Sequence, residues 1–329
     1  MIVAGKGGVG KTTLSAALAR MAADRGLDVL VVEVEGRGGV ATALGHRGAL
    51  GYEQTLLVGP DGPARGGISA RTLTPDDALV DYLVEHGLER VSRRLRSSGV
   101  IDVVATAIPG LRDILVLGKV KALERAGVAD LIVVDAPATG HALTFLTSAQ
   151  GLLDAARVGP IRSQASDVLE LLGDPARCQV LPVTLAEETP VNEVAETAYT
   201  LEDRVGVKLG PVVVNGLYPH LDGLEIDLGP TDTSTVPGAH RPGGALSPGQ
   251  IEVLEEAARF RLGRERLQAE QLERLAAALP LPQLHLPFLF GTSIGPPEVD
   301  VLAGVLTEQV EALDAASAER ATSRPVGPS

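Results

Sequence analysis

The chain has no tryptophan, four tyrosines and four phenylalanines, so aromatic residues make up only 2% of its 329 residues. A core of useful size must therefore be aliphatic, and binding of nucleic acid by base stacking is disfavoured. A single cysteine, Cys178, excludes an internal disulfide, a four-thiolate zinc site and an iron–sulfur cluster held by this chain alone. Methionine is nearly missing too, at Met1 and Met21 only, which argues against a methionine-lined promiscuous groove. Positive charge is in deficit: the net charge of −13 opposes a sequence-independent DNA surface, and the arginines at 90, 93, 94 and 96 read as a solvated helix face. No apolar run approaches the ~18 residues of a membrane span, and no secretory leader is recognised, so a cytoplasmic protein without a stable membrane anchor is expected.

What is present is a rhythm of apolar strands and amphipathic helices. "MIVAG" reads as a first strand that the chain enters midway; either a neighbour covers its edge or the true start lies upstream. Leu14, Ala17, Leu18 and Met21 then share one helical face, and Gly26 stops that helix. "LDVLVVEVE" and "ADLIVVDAP" are almost continuously apolar, as parallel strands covered on both faces are. "TLLVG", "GISARTLTP", "CQVLPVT", "GPVVVNGL" and "PQLHLPF" complete the expected strands. Helices are expected at 76–97, 110–126, 140–156 and 162–173.

Residues 222–249 are rich in Gly, Pro, Asp and Thr and read as a mobile loop. Ser247, Pro248 and Gln250 look like the capping box of a helix running to about Leu279, with Glu255/Arg259 and Glu270/Arg274 as i,i+4 pairs. The fold class is α/β: a doubly wound, mostly parallel sheet with a helical subdomain. One domain is expected over 1–315, with helical-subdomain elements at about 76–126 and 140–175, the loop and long helix at about 222–279, and a disordered tail at 316–329.

The sharpest motif is "GKGGVGKTT". Gly5, Gly10, Lys11 and Thr12 satisfy GxxxxGK(S/T), a pattern that chance gives a chain of this length on the order of one time in a hundred. Gly5, Gly7, Gly8, Val9, Gly10, Lys11, Thr12 and Thr13 form the expected phosphate cradle, in which glycines let backbone amides face the phosphates. The helix that follows adds its positive end. Lys11 is expected to reach the β- and γ-phosphates of ATP, and the Thr12 hydroxyl to bind Mg²⁺. Lys6, a second lysine so early in the loop, has its natural use at nucleotide held by another subunit; the plain alternative is a solvated loop lysine.

That string resembles the deviant phosphate loop of ATPases such as MinD, ParA, the nitrogenase iron protein and ArsA. "VVDAPATGH" is similar to the second switch of the ArsA and tail-anchored-protein-targeting (guided-entry) ATPases, and "PGLRD", "VTLAEETPVNE", "VVVN" and "HLPF" extend the likeness. The resemblance implies that Lys6 completes a partner's site, in a homodimer or a heterodimer with a related subunit. It implies that Asp135 holds Mg²⁺ through water and that Thr139, Gly140 and His141 respond to the γ-phosphate. By the same resemblance, Asn215 reads the adenine edge and Pro287 is a nucleotide-binding position.

The first switch departs from the family pattern. It reads "EVEGRGG", with Glu35 where a water-positioning aspartate belongs and Glu33 two residues before it. The longer side chain and the glycines predict a slow ATPase or one that needs a partner. Arsenite pumping is undercut by the lone cysteine, and a MinD- or ParA-like positioning role by the charge and tail. A protein client on the helical faces around Leu83, Leu88, Val91, Leu152, Leu153, Val168 and Leu172 stands against plain packing of those faces on their own sheet. A regulatory nucleotide-binding subunit with negligible turnover is the alternative to an enzyme.

Overall fold

A computed structural model describes residues 1–34, 38–60, 65–85, 87–90, 92, 110–137, 141–155, 157–224 and 247–322. Its elements are β1 (Ile2–Gly5), α1 (Lys11–Asp24), β2 (Val29–Val34), α2 (Gly39–Ala43), β3 (Thr55–Val58), β4 (Ile68–Leu73), α3 (Pro75–Glu85) and α4 (Leu111–Arg125). Then come β5 (Leu131–Asp135), α5 (His141–Ala155), α6 (Pro160–Gly173), β6 (Val180–Leu185), α7 (Glu188–Val205), β7 (Val212–Leu217), α8 (Pro248–Ala278), β8 (Gln283–Pro287) and α9 (Pro296–Thr322).

The strands form one sheet in the order β3-β4-β2-β5-β1-β6-β7-β8. All pairs are parallel except β3 with β4. β1 is no edge: it lies between β5 and β6, both parallel to it. The chain leaves β1 toward one half of the sheet and later returns to build the other half beside it. Such a reversal puts a crevice at the carboxyl ends of the strands.

Alternation along the strands explains the two-sided core. Val29 and Val31 of β2 join Leu14, Leu18, Val40, Val299, Leu302 and Leu306 on the face covered by α1, α2 and α9. Leu30 and Val32 join Ile114, Leu117, Phe145, Leu146, Val168 and Leu172 beneath α4, α5 and α6. Leu152, Val168 and Leu172, weighed as a client surface, are therefore committed to the core, whereas Val84 and Leu88 on the helical side are exposed. Cys178 is buried in the same cluster, and burial pushes its thiol pKa up, which makes it a small hydrophobe.

Several features differ from the sequence reading, the short helix α2 among them. α7 is an additional helix whose Val191, Val194, Ala198, Leu201 and Val205 pack inward. α9 runs through Thr322, so the segment read as a tail begins as helix; Arg20 to Asp300 at 2.8 Å and Arg25 to Glu311 at 2.9 Å tie it to α1. Arg274 reaches Glu188 and Asn192 of α7 rather than Glu270, because α7 packs alongside α8. Arg259 donates to the backbone carbonyl of Glu255. The capping box is present as read: Ser247 accepts from the Gln250 amide, and the Gln250 side chain accepts from the Ser247 amide. Most of the 222–249 loop lies outside the described residues. Among the described residues, no helix is long and apolar enough to cross a membrane.

Candidate functional site

β1 ends at Gly5 and α1 starts at Lys11, so the glycine-rich loop hangs over the carboxyl end of the central strand. Gly8 and Gly10 adopt left-handed φ values of 86° and 94°. Gly10 directly precedes α1, and a Cβ there would run into the side-chain amide of Asn215. Asn215, within β7, donates that amide to the Val9 carbonyl at 2.9 Å. The residue expected at the adenine thus also fastens the loop to the second half of the sheet.

Lys11 is only 6% exposed. Its ammonium donates to the Lys6 carbonyl at 3.0 Å, inside its own loop, and burial lowers its pKa. The Lys6 ammonium goes elsewhere, to Glu193 Oε1 of α7 at 2.5 Å. The two lysines of the loop are therefore separated, and Lys6 is half exposed.

Asp135, the last residue of β5, accepts from Thr12 Oγ1 at 2.7 Å. Ser15 Oγ lies farther off, at 3.5 Å from the other carboxylate oxygen. Burial raises the Asp135 pKa to about 6, with Glu33 adding to the rise while the Thr12 hydroxyl and Lys11 oppose it. Ser15 went unread from sequence because it follows the motif, although one helical turn beyond Lys11 places it under the loop.

The β2–β5 register sets Glu33 beside Asp135. Glu33 is almost fully buried, and it accepts from the Gly38 amide at 3.2 Å and from the Val40 amide at 2.6 Å. Both carboxylate oxygens are thus engaged in holding the start of α2, where a Cβ on Gly39 would strike the Thr12 methyl. Glu33, a candidate catalytic carboxylate, has both oxygens taken up by these two amides, and they set the start of α2 against Thr12. Glu35, Arg37, Thr139 and Gly140 lie outside the described residues. Replacing Glu33 with Ala would leave one buried and one part-buried amide without an acceptor, an expected loss of roughly 1–3 kcal/mol in urea unfolding; an unchanged unfolding midpoint would remove the anchoring role.

Pro287 closes β8 opposite Leu217, and the next amide, Phe288, donates to the Leu217 carbonyl at 2.7 Å. Here three of the chain's eight aromatic rings meet. Tyr218 and Phe288 stack at 5.2 Å, Phe290 meets both edge-on, and the Arg261 guanidinium lies 4.8 Å from the Tyr218 ring centroid. This shelf was not read from sequence, since its residues come from two strand ends about 70 positions apart; scarcity was the only signal that could have drawn the eye to them.

The strand-loop-helix cradle, the buried lysine and the threonine–aspartate pair define a nucleotide site. The model of the CobQ/CobB/MinD/ParA nucleotide-binding domain matches residues 1–290. The chain belongs to this family. Within it, similarity runs to the ArsA and guided-entry branch. The chain is 34% identical over 304 residues to ATPase BagA of Mycobacterium tuberculosis, covering 87% of this chain and 86% of that protein. It is 30% identical over 219 residues to the arsenical pump-driving ATPase of Acidiphilium multivorum, covering 65% of this chain and 34% of that one. To ATPase get3 of Schizosaccharomyces japonicus it is 28% identical over 177 residues, covering 51% and 52%. The family's fold, an α/β phosphate-loop sheet, is the one described above.

Proposed function

We propose that the protein is an ATPase whose nucleotide-dependent dimer closure acts as a switch. The observation that supports this most is the division of labour in the loop, with Lys11 buried inside the cradle and Lys6 held outside it on Glu193. Lys11 is one swing from the Lys6 carbonyl to the β- and γ-phosphates. The cradle suits Mg²⁺·ATP because Thr12 Oγ1 and a buried, anionic-capable Asp135 face each other across 2.7 Å beside that ammonium. Thr12 would bind the ion directly and Asp135 through water, and bound Mg²⁺ would offset charge on the phosphate oxygens. The Asp135 carboxyl must be ionised to do this, so nucleotide binding should weaken as pH falls through about 6.

Lys6 leaves Glu193 to serve nucleotide held by a second copy or a related subunit. Glu33 fixes the root of the first switch, which leaves Glu35 as the carboxylate for the attacking water. A longer side chain on a glycine-rich loop favours slow turnover, because position governs phosphoryl transfer. That same feature favours the second reading, a regulatory subunit that binds ATP without turning it over. Opening and closing would alter the helical side, where exposed Val84 and Leu88 could meet a protein client.

The test is phosphate release by wild type and Lys6→Ala, with mass by light scattering in the presence and absence of ATP. Lys6→Ala is expected to keep ATP binding and to lose on the order of a hundredfold in turnover. Equal rates, or a wild type that stays monomeric with ATP and with its related subunit, would overturn the trans role.

A further inference from the structure

Under the outer side of the phosphate loop, α7 stands off β1 and β6 and leaves a cavity of about 190 Å³. Gly5, Lys6 and Val9 of the phosphate loop line it but Lys11, Thr12 and Asp135 do not, so it adjoins the nucleotide cradle on the side away from the Thr12–Asp135 pair. Its walls are mainly apolar: Val183 from the sheet, Val194 and Ala198 from α7 and Leu143 from α5 are among them. Its polar side chains are Lys6, Thr184, Glu193, Glu196 and Thr197, of which Lys6 and Glu193 are paired to each other.

Glu193 carries the decisive detail. Its Oε1 accepts from Lys6, but its Oε2 is buried and has no hydrogen-bond partner among the described residues. Native proteins leave few such oxygens, and each one calls for a missing donor. A purely apolar guest would leave Oε2 without one. An anion would meet the carboxylates of Glu193 and Glu196, both of which line the cavity, in a chain of net charge −13. An apolar cavity of about 150 Å³ accommodates a benzene ring, so this one has space for a ring and a short arm.

We infer that the cavity binds a compact hydrophobic amine, its ring or branched alkyl group against Val194 and Ala198 and its ammonium on Glu193 Oε2. Such a ligand touches two nucleotide-sensing elements. Gly5, Lys6 and Val9 belong to the phosphate loop, and Ala142 and Leu143 to the first turn of the helix that follows the second-switch sequence. A second cation on Oε2 shares the single negative charge and repels the Lys6 ammonium on Oε1, which weakens the hold of Glu193 on Lys6. Resting on the proposed role of Lys6, this frees Lys6 for nucleotide, so amine and ATP each tighten the other's binding by the same factor.

The experiment titrates the full chain with phenethylamine, toluene and phenylacetate by calorimetry and thermal melting. Phenethylamine is expected to saturate one site per chain and to raise the melting temperature. Toluene should bind about tenfold more weakly, and phenylacetate not at all. Glu193→Gln should weaken the amine about tenfold and leave toluene unchanged. Ala198→Leu, or Thr197→Leu if the first does not fold, should fill the space and weaken both. Absence of saturable binding by phenethylamine, or amine binding undiminished in Glu193→Gln, would overturn the site. In parallel, a fluorescent ATP analogue should bind several-fold more tightly with the amine in wild type and not in Lys6→Ala. Amine binding without that effect overturns only the coupling, and failure of the analogue to bind at all counts against the ATPase reading instead.

Discussion

Asp135→Asn will make the nucleotide-free protein melt at a higher temperature near neutral pH and will abolish magnesium-dependent phosphate release. The carboxyl has a pKa of about 6 in the folded protein against an ordinary value of 3.8. The folded state therefore holds the proton more tightly than the unfolded chain does. This group's contribution to stability is greatest below the ordinary value and is lost as pH rises through about 6. The difference, about two pH units, corresponds to about 3 kcal/mol of destabilisation once the buried carboxylate is ionised. Asn keeps an oxygen to accept from Thr12 and removes the charge. Melts across a pH series should show the variant several degrees above wild type at neutral pH, with the advantage shrinking as pH drops. Parallel curves would mean that Asp135 is ionised at little cost. A variant that still releases phosphate with Mg²⁺ would remove it from the metal site.

Gly10→Ala will lower kcat/KM for ATP on the order of a hundredfold, through geometry rather than chemistry. A left-handed φ of 94° is costly for any residue with a Cβ. In addition, the new methyl would occupy the place of the Asn215 amide that holds Val9. The loop must then shift, and with it Lys11, which follows directly. Asn215→Ala in the same chain removes the collision but not the φ strain, so the double variant should regain about tenfold over Gly10→Ala alone. Steady-state kinetics on the four proteins of this cycle decide the matter. Additive losses would show that Gly10 and Asn215 act separately.

Local signals carried most of the fold. Continuous apolar strands, the glycine loop and the Ser247 capping box each occupy a few neighbouring residues, and each stands where the sequence put it. α7 and α9 are legible in principle, since Val191, Val194, Ala198, Leu201 and Val205 in the one and Val299, Leu302, Leu306, Val310 and Leu313 in the other recur at helical spacing. One overlaps the 183–193 motif and the other runs into a polar tail, which masks both periodicities. The site divides in the same way. Lys11, Thr12 and Asp135 are readable because a loop and a strand end announce them. The anchoring job of Glu33, the Asn215–Val9 bond and the Lys6–Glu193 pair depend on register and on which helix stands where. A charged residue in a sequence names its chemistry but not its partner. Arg274 illustrates this: it had a suitable glutamate four residues away and took two residues of another helix instead.

The aromatic shelf gives the protein an optical vacancy. With no indole anywhere in the chain, Phe288→Trp would create a lone emitter that can be excited apart from the four tyrosines. It would stand on the Tyr218 ring, packed near Gly216, the residue next to the one that grips the phosphate loop. Stopped-flow traces of that emission could separate nucleotide arrival from any later closure, and a relative lacking the substitution would contribute tyrosine light alone when mixed in.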